Sequence, residues 1–103
     1  MQNKYNIYVA MKNKNINFIR KKLDSLDDKF LQLIKKRSVL VSKILKEKKF
    51  KNQIIDRKRI KVILSKIKKK SLKKNIDPKI TRKIWSSMIK AYIDYEFRNF
   101  NKK

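Results

Sequence analysis

Residues 16–48, INFIRKKLDSLDDKFLQLIKKRSVLVSKILKEK, decide the fold. Apolar side chains recur along this stretch at alternating spacings of three and four residues, which is the spacing of a seam between packed helices. They are Ile19, Leu23, Leu26, Phe30, Leu33, Leu40 and Ile44. Because no Gly or Pro interrupts them, the stretch predicts one long helix from about Asn15 to about Lys48.

The length of this helix predicts a second subunit. A helix of roughly 30 residues is about 45–50 Å long at 1.5 Å per residue. The whole chain has 103 residues, and a globule of that size, with a radius of gyration of ~13 Å, is only about 26 Å across. The rest of one chain cannot cover such a helix. We therefore expect an obligate homodimer.

The remaining sequence predicts two further helices. Asp56 is a good N-cap for a helix that runs to about Lys74. In the break that follows, Asn75 can take the left-handed conformation, Asp77 can cap the third helix and Pro78 suits its first turn. An apolar stripe then continues to Phe97, and no run reads as a strand. The fold class is all-α, with three helices per chain and no internal repeat.

The N-terminal residues 1–15 are polar and lack clear periodicity. We expect a disordered leader, or an upstream start codon wrongly included, and a single helical domain over residues 16–100. No stretch approaches the ~18 consecutive apolar residues of a membrane span, and no secretory signal is evident. The sequence therefore predicts a cytoplasmic protein that does not engage a membrane.

The composition excludes several kinds of chemistry. The chain has no His and no Cys, so one chain cannot form a disulfide, a thiolate metal site or a Ser-His-Asp or Cys-His nucleophile system. We expect neither a metal nor another cofactor. Chemistry is left to Arg, Lys, Asp, Glu and hydroxyl groups.

The charge has two interpretations. With 32 Lys+Arg against 8 Asp+Glu, the net charge is +24, which is typical of nucleic-acid-binding proteins. Lys, Asn and Ile make up almost half of the residues, however, which is the bias that an AT-rich genome produces. The run from Lys66 to Lys74 has no interleaved aromatic residue for base stacking. It fits a solvated helix face, so we expect nucleic acid to bind only non-specifically. A basic helical nucleic-acid-binding protein is the less favoured alternative.

Six charged residues lie at helix positions where the apolar spacing predicts apolar side chains. Buried charges need partners, so these residues either pair with one another, extend outward, or hold a ligand. Their excess positive charge suits a small, doubly anionic ligand bound between helices. The six are Arg20, Arg37 and Lys48 on the first helix, Asp56 and Arg59 on the second, and Glu96 on the third.

Four segments in order resemble the all-helical chorismate mutases. Residues 19–27, IRKKLDSLD, resemble the family's opening "LRxxIDxID", and residues 33–37, LIKKR, are similar to "LLxxR". Residues 56–59, DRKR, match "DxxR", and residues 76–78, IDP, resemble the "LDP" before the third helix. The resemblance covers residues 16–98. It implies an intertwined helical homodimer with shared active sites that rearranges chorismate to prephenate in aromatic amino acid biosynthesis, without a cofactor.

The resemblance also implies roles for individual residues. Arg37 and Arg20 would clamp the two carboxylates of chorismate, with Arg20 reaching in from the partner subunit. Arg59 would support the carboxylate side. Lys48 would donate to the breaking ether oxygen, where negative charge develops. Asp56 would accept a hydrogen bond from the ring hydroxyl.

Three departures from the family pattern qualify this expectation. Ile60 replaces the Glu that helps to hold the substrate hydroxyl, Tyr92 replaces a Ser, and Glu96 replaces the Gln that shares the ether oxygen with the Lys. Fungal members carry Glu at this last position. Since only a protonated Glu96 could donate to the ether oxygen, we expect activity to rise toward acidic pH. A one-residue slip in the third helix would exchange Glu96 for Tyr95. Ile60 favours the alternative of a mutase-like scaffold that serves as a regulatory or partner-binding subunit.

Overall fold

The computed structural model describes residues 4–101, with side chains from residue 11 onward. It contains three helices, α1 (Lys4–Glu47), α2 (Arg57–Lys73) and α3 (Pro78–Asn99). One turn of 3-10 helix, Lys51–Gln53, lies between α1 and α2. No strand occurs within residues 4–101. The predicted all-α class with three helices, the first of them long, is confirmed.

The first helix is longer than the sequence predicts. It begins at Lys4, so the predicted start near Asn15 is wrong. No Gly or Pro lies between these two positions, and a helix without a stop signal continues. Residues 1–3 of the expected leader lie outside the described residues, and the domain boundary at residue 16 stays a prediction. The end of α1 at Glu47 agrees with the predicted end near Lys48.

Both predicted N-caps are confirmed. Oδ1 of Asp56 accepts a hydrogen bond from the backbone N–H of Arg59 at 3.0 Å. Oδ1 of Asp77 accepts one from the N–H of Lys79 at 2.9 Å, and Pro78 occupies the first turn of α3. Each carboxylate satisfies a backbone donor that has no partner within the helix. The two helix starts are therefore set by local sequence.

The turn between α2 and α3 is a Schellman motif. Asn75 has φ 57°, the predicted left-handed conformation. The N–H of Ile76 donates to the carbonyl of Ser71 at 2.9 Å, and the N–H of Asn75 donates to the carbonyl of Leu72 at 3.3 Å. These two bonds satisfy carbonyls that the end of a helix otherwise exposes. They fix the point at which the chain reverses.

A buried pair of hydroxyls joins α2 to α3 next to this turn. Oγ of Ser71 and Oγ1 of Thr81 lie 2.8 Å apart, and the two residues are only 3% and 9% exposed. Ser71 Oγ also donates to the carbonyl of Ile67 at 2.6 Å. Because the hydroxyls bond to each other and to the helix backbone, their burial does not leave polar groups unsatisfied. The pair holds the two helices together as a hairpin.

The chain divides into two compact units, residues 1–37 and 38–103. In the first unit, every described side chain from residue 11 to residue 36 is exposed, including Phe18, Leu26 and Leu33. In the second unit, Leu45 and Ile54 are the buried apolar side chains, at 8% and 3% exposure. No helix within residues 4–101 combines the length and apolar character that crossing a bilayer requires.

Candidate functional site

Lys48 and Glu96 form an ion pair within the second unit. Lys48 lies directly after the last residue of α1, and Glu96 lies one turn before the end of α3. Nζ of Lys48 donates to Oε1 of Glu96 at 3.3 Å and to Oε2 at 3.1 Å. The Glu96 side chain is 7% exposed and that of Lys48 is 18% exposed. A carboxylate buried to this degree needs a cationic partner, and Lys48 supplies it.

Two Ser–Tyr hydrogen bonds connect α1 to α3. Oγ of Ser38 lies 2.8 Å from Oη of Tyr92, and Oγ of Ser42 lies 2.8 Å from Oη of Tyr95. All four residues are half-buried. On α1 the serines are four residues apart and therefore share a face, and the tyrosines are three apart on α3. We call these two bonds and the Lys48–Glu96 pair the polar seam.

The polar seam fixes the register of the third helix. Glu96 contacts Lys48, while Tyr95 contacts Ser42. The side chain that lies against Lys48 is therefore that of Glu96 rather than that of Tyr95. Tyr95 instead borders a cavity of about 430 Å³ that Ser42, Leu45 and Asn99 also line.

The start of α2 carries the other predicted residues of the second unit. Asp56 and Arg59 are exposed, and Ile60, which stands where the family has Glu, is half-buried. The Oδ1 atom of Asp56 is occupied by the capping bond to the Arg59 N–H. A single carboxylate has lone pairs for more than one donor, so capping and ligand binding are compatible roles for Asp56.

The two remaining predicted residues, Arg20 and Arg37, belong to the first unit. Arg20 is exposed, and Arg37 is half-buried with its Nε atom buried. A guanidinium presents its N–H groups as a planar fork that matches a carboxylate. Both arginines therefore have chemistry suited to an anion.

The basic run on α2 is a solvent-exposed surface. Every lysine from Lys66 to Lys74 is exposed. This is what the interpretation as a solvated helix face predicts, and no aromatic side chain interleaves with these lysines. Within the described part of the chain, no group of three or more acidic side chains could hold a metal ion.

Ser38 and Ser42 were missed by the sequence analysis. The two serines are four residues apart on α1, and Tyr92 and Tyr95 are three residues apart on α3. Hydroxyls at helical spacing on two helices are a signal that could have suggested a contact. The pairing itself depends on how the helices are rotated about their axes, which the spacing does not specify.

The described chain is a small all-α protein with three α-helices. Its candidate site contains a nearly buried Lys–Glu pair and half-buried hydroxyls, and the sequence has no His or Cys. Such a site can act only through charge and hydrogen bonds. The chain matches the family Chorismate mutase type II over residues 19–97, and it belongs to that family. The resemblance found in the sequence motifs is confirmed. None of the curated proteins and none of the solved structures gives a significant match to the chain.

Proposed function

We propose that this protein is an active chorismate mutase that converts chorismate to prephenate. The observation that carries the proposal is the contact between Lys48 and Glu96. In the family pattern, these two positions hold the pair of side chains that share the ether oxygen of the substrate. Two residues 48 positions apart in sequence meet here with their charged ends 3.1 Å apart, inside a chain that belongs to the family.

The reaction suits the residues that the chain possesses. In this rearrangement one C–O bond breaks and one C–C bond forms within the same molecule, without a nucleophile and without proton transfer. The protein needs to hold the substrate in its reactive shape and to stabilise the negative charge that develops on the ether oxygen. The ammonium group of Lys48 would donate to that oxygen, and its hydrogen bond would be strongest in the transition state.

Glu96 makes the proposed activity depend on the kind of group that lies beside Lys48. A carboxylate at this position pairs with Lys48 and repels an oxygen that gains negative charge. A neutral hydrogen-bond donor at the same position would leave Lys48 to the substrate and add a second donor toward the oxygen. Turnover should therefore increase when a neutral donor replaces the carboxylate.

The other site residues take the roles that the family resemblance implies. Arg37 and Arg20 would bind the two carboxylates, Arg20 from the partner subunit, and Arg59 would support them. Asp56 would accept from the ring hydroxyl, and the hydroxyl of Tyr92 would take the place of the family's Ser. Chorismate is thus the proposed small-molecule partner, and the cytoplasm its proposed compartment.

A homodimer with shared active sites is part of the proposal. Along α1, Ile19, Leu23, Leu26 and Leu40 are between 53% and 58% exposed, and Leu33 is 63% exposed. Complete burial of a Leu or Phe side chain stabilises a protein by roughly 1.5–3 kcal/mol, so a stripe of this length favours association strongly. A second copy of the chain is the occupant that the family resemblance implies. It would also bring Arg20 to the neighbouring site.

Loss of chorismate absorbance with purified protein at pH 5, 6 and 7 tests the proposal, with Arg37→Ala as the control. We expect turnover that disappears in Arg37→Ala, while helicity and dimerisation persist. A folded dimer without turnover at any of these pH values would contradict the proposal.

The half-buried Ile60 favours a second candidate, a catalytically impaired mutase-like scaffold or regulatory subunit. Ile cannot accept the hydrogen bond that a Glu at this position provides. For such a scaffold, wild-type protein would lack turnover, and Arg37→Ala would change only the stability. The same assay therefore separates the two candidates.

A further inference from the structure

The hydroxyl of Tyr92 is held by a second hydroxyl, that of Ser38. We propose that Ser38 is a positioning residue, which acts on the mutase reaction through Tyr92 by holding the phenol where substrate binds. This inference rests on the proposed function. Ser38 stands at no position to which the family resemblance assigns a role.

The placement of Tyr92 on α3 is the first observation. Tyr92 and Glu96 are four residues apart and therefore lie on the same helix face, one turn from each other. Both contact the segment that includes the end of α1 and Lys48, Tyr92 through Ser38 and Glu96 through Lys48. The phenol and the carboxylate therefore lie on the same face of α3, toward the segment that holds Ser38 and Lys48.

The bond to Ser38 restricts where the hydroxyl of Tyr92 can lie. The tyrosine hydroxyl lies at the end of a ring that turns about two torsions, of which the second is broad. The distance of 2.8 Å between Ser38 Oγ and Tyr92 Oη is that of a well-formed O–H···O bond. If the phenol is already fixed, the side chain loses less conformational entropy when substrate binds. Loss of Ser38 should therefore weaken substrate binding without removing any group that contacts the substrate.

The chain contains a matched control for this role. Ser42 and Tyr95 form a bond of the same length, 2.8 Å, between the same two helices, with the same half-buried environment. Tyr95 borders a cavity with Leu45 and Asn99, and neither residue of this pair has a proposed role in the reaction. Removal of either serine hydroxyl should affect folding similarly. Only the removal of Ser38 should affect the substrate.

The experiment compares Ser38→Ala with Ser42→Ala in steady-state kinetics and thermal unfolding of the full chain. Since a single hydrogen bond of this kind changes an equilibrium by about three- to ten-fold, we expect Ser38→Ala to raise the KM for chorismate by about that factor, with a smaller change in kcat. Ser42→Ala should leave the KM at its wild-type value. The two variants should show similar decreases in Tm.

Two further variants separate positioning from packing. Ser38→Thr keeps a hydroxyl and should restore most of the wild-type KM. Tyr92→Phe removes the phenol hydroxyl, so that adding Ser38→Ala to it should give no further rise in KM. If Ser38→Ala does not fold, Tyr92→Phe and Ser38→Thr still test the role from both sides of the bond.

The possible outcomes distinguish this inference from the proposed function. Wild-type protein without turnover overturns the mutase function and the role of Ser38 together. Active wild-type protein in which Ser38→Ala and Ser42→Ala have equal KM values overturns the role of Ser38 alone. An additive rise in KM in the Ser38→Ala, Tyr92→Phe double variant also contradicts action through Tyr92.

Discussion

The α2–α3 hairpin and the α1 segment over residues 11–36 are both helical, but they differ in how many of their side chains have partners within the chain. The hairpin has two carboxylate caps, a Schellman turn and a buried pair of hydroxyls, Ser71 and Thr81. In the α1 segment every described side chain is exposed, although a regular apolar stripe runs along it. The hairpin completes its hydrogen bonds within one chain. The α1 segment presents an apolar surface that one chain does not bury.

This difference shows where the fold depends on short-range sequence and where it depends on a partner. Caps and turns act over two to five residues, so a single chain can satisfy them. An apolar stripe stabilises a fold only when another surface covers it. Substitutions in the two regions should therefore have different consequences for stability and for assembly.

The largest effect is expected from Leu26→Lys in the apolar stripe of α1. Leu26 is 57% exposed in the isolated chain, so in a monomer the substitution should change stability little. If a second copy buries this position, the lysine introduces an unpaired charge into an apolar interface, which costs on the order of 3 kcal/mol or more. We expect dissociation and a lower Tm, measured by sedimentation velocity and thermal unfolding over a range of protein concentrations.

Asp28→Asn is the control for that substitution, because it also raises the net charge by one unit but lies on the opposite face of α1 from Leu26. It should leave both association and Tm unchanged. Equal behaviour of the two variants, or a wild-type protein that stays monomeric at high concentration, would show that the stripe is not an interface.

The next effect is expected from Glu96→Gln in the polar seam. Glutamine removes the negative charge and provides an N–H donor, so the variant should turn over chorismate faster than wild type. The increase should be about ten-fold or more, up to the roughly 100- to 1,000-fold that a single transition-state donor contributes. Steady-state turnover of the two proteins at pH 7 tests this. A variant that is no faster than wild type would remove Glu96 from this role.

A smaller effect is expected from Thr81→Val in the hairpin. Valine has nearly the same shape but no hydroxyl, so the buried Ser71 loses one of its partners. The free energy of unfolding should fall by about 1–2 kcal/mol, measured by urea denaturation. Ser86→Ala, on an exposed part of α3, is the control and should have almost no effect. Since the hairpin is complete within one chain, the same loss should appear in the Leu26→Lys background. A loss that vanishes there would mean that the hairpin also depends on the partner.

The smallest effect is expected from Asn75→Gly in the Schellman turn. Glycine adopts φ 57° without the steric penalty of a Cβ atom. The substitution should raise the free energy of unfolding by about 0.5 kcal/mol, and Asn75→Ala should lower it by about 1 kcal/mol. Urea denaturation measures both. The reverse order of the two variants would contradict a turn governed by this single torsion.

The sequence predicted those features that depend on neighbouring residues. Asp56, Asn75, Asp77 and Pro78 each act within one turn of helix, and each has its predicted role. The predicted start of α1 near Asn15 is too late. The polar residues before it include no Gly or Pro, so they neither favour nor stop a helix strongly. Local patterns thus located the three α-helices of the described chain, but not the start of the first.

The candidate site was predictable only in part, for a physical reason. The apolar stripes selected Lys48 and Glu96, the family resemblance gave them roles, and the two residues do meet. The bonds of Ser38 and Ser42 to tyrosines of α3 depend on the rotation of one helix against another, which is set by packing over the whole interface rather than by spacing within either helix. The positions of Arg20 and Arg37 as substrate ligands stay predictions.

The short separation between Ser71 and Thr81 has a consequence for the order of folding. The two residues are ten positions apart, so the loop that they close is small, and closing a loop of this size costs little entropy and takes about 10–100 ns. The hairpin can therefore form within a single molecule before any encounter with a second one. Refolding from denaturant should show a fast phase whose rate is independent of protein concentration, followed by a slower phase that accelerates as the concentration rises.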